Sequence, residues 1–160
     1  MKKTALHDAA RKAHVDVVKV LIQNGADVNA VAIWNKYTAL HFAAANGHVD
    51  VVKLLLENGA DANAVEKYKK TALHFAAQEG EVDIVKMLIQ NGADVNAVDH
   101  INQTALHLTS FAGLVEVAKV LVQNGADVNA VNKDKVTPLH IAAFTGHAVE
   151  SAAMVQSITV

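Results

Sequence analysis

An all-α solenoid, built from helix-turn-helix units joined by extended loops, is the fold this sequence predicts. One phrase returns five times, as TALHDAA from Thr4, TALHFAA from Thr38 and from Thr71, TALHLTS from Thr104 and TPLHIAA from Thr137, at intervals of 34, 33, 33 and 33 residues. A second phrase follows in register, reading NGADVNAV from Asn24, Asn91 and Asn124 and NGADANAV from Asn58. A unit this short buries its apolar face only against its neighbours, so the units must stack into one long, thin core and leave function to the surface. The unbroken register predicts one elongated domain over residues 1–160, with the last repeat incomplete.

The unit that starts at Thr71 shows why each element forms. Threonine is a good N-cap for a helix through Ala72, Leu73, His74, Phe75, Ala76 and Ala77, and the fifth unit agrees by placing Pro138 at the first helical position. Gly80 ends that short helix. A second begins near Val82, with Val82, Ile84, Val85, Leu88 and Ile89 mostly on one stripe and Asp83 in its first turn, where a negative charge suits the dipole. Asn91 and Gly92 stop it, because glycine takes the left-handed conformation of a helix end. Residues 93–103 then carry turn-forming Asp94 and Asn96 and read as an extended reach to a loop and back.

These phrases, TALHFAA, a glycine, VDIVKMLIQ and NGADVNAV, resemble the ankyrin repeat from Thr4 to about Gln156. The resemblance implies an ankyrin-repeat solenoid of L-shaped units, each with antiparallel helices and a projecting hairpin-like loop, in a curved stack, and a protein-binding role. The family's loop tip usually carries Asp, two variable residues and Gly, but the glycine position here holds Lys69, Asn102 and Lys135. Lysine adopts a left-handed backbone less readily than asparagine, so strained or altered tips are expected at Lys69 and Lys135. The first loop, Val31 to Tyr37, has one extra residue.

The ends differ from the middle as a capped stack requires. The fourth residue after each repeat-starting threonine should press on the preceding unit, and it reads Asp8, Phe42, Phe75, Leu108 and Ile141. Only the first is charged, and the first unit has no predecessor; Arg11 and Lys12 extend its polar face. Ala13 replaces the glycine of the other units. At the other end Ala148, Ser151, Ala152 and Ala153 thin the apolar stripe, so residues after about His147 should be the least stable.

Composition bounds the function. The chain is 52% hydrophobic, yet no apolar run approaches the roughly 18 residues of a membrane helix, so a soluble protein with no membrane partner is expected. The opening MKKTALH lacks a secretory core, and zero cysteines permit a reducing compartment; an intracellular, cytoplasmic location is the expectation. A net charge of −2 offers nucleic acid no broad invitation. The KYKK run at Lys67 to Lys70 reads better as a solvated loop or protein contact than as a base-stacking site.

No catalytic or cofactor pattern emerges. Five of the nine histidines, His7, His41, His74, His107 and His140, recur at one position of the unit. Equivalents on neighbouring helices lie about 8–10 Å apart, too far to share a zinc, so they read as structural imidazoles bonding their own turn and the next repeat. HExxH, GxSxG, a phosphate loop and GxGxxG are absent, and Ser110, Ser151 and Ser157 have no patterned base and acid. The reading is a monomeric, non-enzymatic protein without cofactor or metal.

In the resembled family, partners dock on the concave side formed by loop tips and the exposed ends of first helices. Mapped onto this chain, the loop positions are Ile33, Trp34, Lys36 and Tyr37; Lys67, Tyr68 and Lys70; His100, Ile101 and Gln103; and Lys133, Asp134 and Val136. The helix-end pairs are Arg11 with Lys12, Ala45 with Asn46, Gln78 with Glu79, Phe111 with Ala112, and Phe144 with Thr145. Of seven aromatics, only Phe42 and Phe75 hold the inter-repeat position, and the other five fall at these variable sites. Exposed aromatics are frequent interface anchors, so Trp34, Tyr37 and Tyr68 are expected to edge a partner site, whereas Phe111 and Phe144 either join it or tuck between repeats. Drift at Leu54, Met87 and Val120 fits natural divergence, and the near-identical NGADVNAV phrases and aromatic-rich variable sites also suit an engineered binder. The alternatives to a partner-binding scaffold are an array with no dedicated partner and, third, a nucleic-acid-binding module.

Overall fold

The computed structural model describes residues 3–147, and the expectation for Ala148 and beyond lies outside them. Among the described residues there are nine helices and no strand: α1 (Ala5–Arg11), α2 (Val15–Gln23), α3 (Ala39–Ala45), α4 (Val49–Glu57), α5 (Ala72–Glu79), α6 (Val82–Gln90), α7 (Ala105–Ala112), α8 (Val115–Gln123) and α9 (Pro138–Thr145). The first helices α1, α3, α5, α7 and α9 pack in series, and α2, α4, α6 and α8 form a parallel row behind them. None is long and apolar enough to cross a membrane.

Small residues set the spacing of the front row. Ala9, Ala10, Ala43, Ala44, Ala76 and Ala77 are buried between helices, and Leu6, Leu40, Leu73 and Leu106 fill the space behind them against the second helices. In α7 the alanine pair becomes Thr109 and Ser110, both fully buried. Each hydroxyl donates to the Leu106 carbonyl, at 2.9 and 2.8 Å, which removes the cost of burying it.

The histidines bond their own turn as expected, and four of them reach the residue just before the next unit instead of entering that unit. In all five units the threonine N–H donates to the Nδ1 of the histidine three residues on, at 3.1–3.4 Å. That bond fixes Nδ1 as an acceptor and leaves the proton on Nε2. From there His7, His41, His74 and His107 donate to the carbonyls of Tyr37, Lys70, Gln103 and Val136, each the residue immediately before the next unit's threonine. The NGAD turns carry a clip between units. The Asn63 carboxamide donates to the Gly92 carbonyl and accepts from the Asp94 N–H, and Asn29 and Asn96 repeat the pattern.

Candidate functional site

The loop tips share one construction. Glu66, Asp99 and Asn132 are buried, and one oxygen of each accepts two backbone N–H groups across its own tip: Tyr68 and Lys70, Ile101 and Gln103, Asp134 and Val136. The tips are also bonded to one another. Lys67 N–H donates to the Asn35 carbonyl, His100 to that of Tyr68 and Lys133 to that of Ile101, at 2.9–3.0 Å. Held from two sides, Lys69, Asn102 and Lys135 all take φ near 60°. The expected altered tips at the lysines are therefore corrected: one left-handed turn serves three side chains. In the first loop Ala32 stands where the others have their polar anchor. The extra residue lengthens the turn, so that Lys36 N–H donates to the Ala32 carbonyl four residues back, and Lys36 supplies the left-handed residue at φ 57°.

These loops and the front helices enclose an open concavity of about 330 Å³, lined by Tyr37, Glu66, Tyr68, Lys70, Phe75 and His100. Its walls are rings in contact. Tyr37 lies 5.0 Å from Phe42 and 5.3 Å from Phe75, and Tyr68 lies 5.1 Å from His100. Two ammonium groups sit on these rings: Lys70 Nζ is 5.7 Å from the Phe75 centroid and Lys67 Nζ is 5.5 Å from that of Tyr68. Lys70 Nζ also donates to Gln78 Oε1 at 3.2 Å, tying the second loop to the end of α5. Burial, and then the charge of Glu66, holds the Tyr37 phenol above its ordinary value.

Of the sequence-derived positions, the structure thus brings together Tyr37, Lys67, Tyr68, Lys70, Gln78 and His100. Trp34, 74% exposed, and Ile33 project from the first loop, and Phe111 and Phe144 stand 71% and 93% exposed at equivalent positions on the packed neighbours α7 and α9. The two phenylalanines therefore do not tuck between repeats. Arg11, Lys12, Lys36, Asn46, Glu79, Ile101, Ala112, Lys133 and Asp134 are exposed, whereas Ala45, Gln103 and Val136 are partly buried. Thr145 is also partly buried, and its hydroxyl donates to the Ile141 carbonyl of its own helix. Tyr37 requires correction. It is packed on His41, Phe42 and Phe75, so it has a structural role as well as a surface one.

Two lining residues escaped the sequence reading. Phe75 was expected only as inter-repeat core, yet it is partly exposed and forms the floor of the concavity. Glu66 was hidden because only its place before the KYKK run signals that it anchors a turn. Among the described residues, no group of three or more His, Asp or Glu side chains is placed to hold a metal ion.

Among the described residues, four helix pairs and a fifth leading helix, joined by repeating tips and clipped by repeating histidines and asparagines, define a helical-repeat scaffold. The chain belongs to the ankyrin repeat family: a three-copy ankyrin repeat model matches residues 6–99, and a many-copy ankyrin repeat model matches residues 110–156. A comparison with curated proteins returns no match. Ankyrin repeats are in general scaffolds for protein–protein interaction.

Proposed function

We propose that this chain is a non-enzymatic scaffold that binds one partner protein across its loop tips and first-helix ends, with the concavity between Tyr37 and His100 at the centre. The observation that carries the reading is the placement of large rings. Trp34, Tyr68, Phe111 and Phe144, each half-exposed or more, all come from loop tips or first-helix ends. Such rings cost solubility unless something covers them, and they are the side chains that most often dominate interface energies. The double-bonded tips add preorganisation, so little order is lost on docking. A monomer working inside the cell, as one continuous array over residues 1–160, completes the proposal.

A pull-down comparing the intact chain with its Trp34→Ala/Tyr68→Ala double variant tests this. The expected result is a partner retained by the first and lost by the second, with unchanged thermal unfolding. A partner retained equally by both moves the site elsewhere. No specific partner under any condition favours an array without a dedicated ligand.

A further inference from the structure

The charges of this chain are sorted by side. The four loop segments 31–37, 65–70, 98–103 and 131–136 carry six lysines and three acids, and two of those acids, Glu66 and Asp99, are buried and bonded to backbone N–H groups. Asp134 is the one exposed acid in these segments. The opposite row, α2, α4, α6 and α8 with the turns that follow them, carries nine acids and four lysines over 15–30, 49–64, 82–97 and 115–130. A nearly neutral chain thus presents a basic loop face and an acidic back.

The loop cations are available. Among the described residues, none of the six loop lysines forms an ion pair. Lys67 and Lys70 are held over Tyr68 and Phe75, at the mouth of the concavity. An anion arriving there meets ammonium groups already positioned, so less side-chain entropy is lost than at free lysines. The floor beneath them is aromatic and has room for one large apolar side chain.

Resting on the docking side proposed above, we infer that the partner presents an acidic, extended peptide segment whose Asp and Glu residues pair with the loop lysines around one aromatic or aliphatic side chain seated in the concavity. Charge complementarity steers such a segment to the loop face, and the acidic back repels it. Nucleic acid shares the negative charge but supplies no isolated apolar side chain for the Phe75 floor.

Panning random dodecapeptides on the full chain at about 0.1 M salt tests the inference, because the Debye length there, about 10 Å, leaves the loop field effective. The enriched peptides are expected to be rich in Asp and Glu and to share one large apolar residue. In anisotropy titrations, Lys36→Glu/Lys67→Glu should weaken the best peptide about tenfold or more. Lys53→Glu/Lys86→Glu on the back should leave it unchanged, and circular dichroism should show both variants folded. The difference should shrink at about 1 M salt, where screening acts over about 3 Å.

Neutral or basic peptides that bind the native chain but not Trp34→Ala/Tyr68→Ala overturn the acidic partner while leaving the docking side standing. Peptides indifferent to both loop variants, or no enrichment at all, overturn both. A twelve-nucleotide oligothymidylate that binds more tightly than any acidic peptide overturns the inference in favour of nucleic acid.

Discussion

The ring of Tyr37, the last residue of the first unit, rests 5.3 Å from the ring of Phe75 in the third. Tyr37 also touches Phe42 and His41 of the second unit, so a residue that lies outside every helix ties neighbouring repeats together. Tyr37→Ala should therefore destabilise the fold by about 2 kcal/mol, the sum of lost burial and lost ring contacts at a half-buried site. Trp34→Ala, at an exposed tip, should stay within about 0.5 kcal/mol. Urea midpoints of the two variants measure the contrast, and equal values would refute the assignment of Tyr37 to the framework.

Acid should loosen the stack at its histidines. Burial holds the His41 imidazole down to about 4, below the usual 6.5, and holds His74 and His107 below their usual value as well. Because the folded state disfavours the proton, these residues stabilise the fold fully above pH 6.5, and that stability drains as pH falls toward 4. For His41 the shift corresponds to on the order of 3 kcal/mol. Protonation also replaces an acceptor by a donor at Nδ1, facing the Thr38 N–H. Unfolding free energies between pH 7.5 and 4 check this, with histidine NMR titrations assigning the loss; a flat profile would contradict it.

The Asn63 clip should be worth more than its exposure suggests. Its Oδ1 accepts from Asp94 N–H at 2.7 Å and its Nδ2 donates to the Gly92 carbonyl at 2.8 Å, so one side chain bridges two units twice. Asn63→Ala should cost about 1–2 kcal/mol. Asn58 is also exposed, and its Nδ2 donates only to the Leu54 carbonyl one turn back in its own unit, so Asn58→Ala should cost less. Thermal unfolding of the pair gives the comparison.

Ala13 occupies the helix-ending turn with φ 57°, where the equivalent units have glycine. The left-handed backbone costs an alanine about 1–2 kcal/mol and the added flexibility of the unfolded state costs about 0.4–1 kcal/mol, so Ala13→Gly should stabilise the chain by about 0.5–1 kcal/mol. A lower unfolding temperature would show that this turn is not strained.

The helix pairs, their boundaries and the role of the histidines were legible because the first helix with its histidine is written five times and the second helix four times, and the capping pair Thr-x-x-His lies within one turn of sequence. The exposure of Trp34 followed from its place at a loop tip. The double duty of Tyr37 did not, because the residue before each threonine varies as Lys3, Tyr37, Lys70, Gln103 and Val136, and its neighbour is a ring 38 positions further on. Lysine at a left-handed tip reads as a misfit from propensity alone. Only the buried anchors Glu66 and Asn132 and the bonds between adjacent tips explain why Lys69 and Lys135 adopt it. The acidic back and basic loop face were written in the sequence but cancelled in its net charge. They separate once the repeat assigns each residue to a side.

The most direct test of a loop-face binding scaffold is a hydrogen-exchange footprint of the full chain with its captured partner or its best panned peptide. Protection is expected to fall on residues 32–37, 66–70 and 99–103 and on the ends of α5 and α7, with α2, α4, α6 and α8 unchanged. Protection concentrated on those second helices, with the tips exchanging as in the free chain, would contradict it.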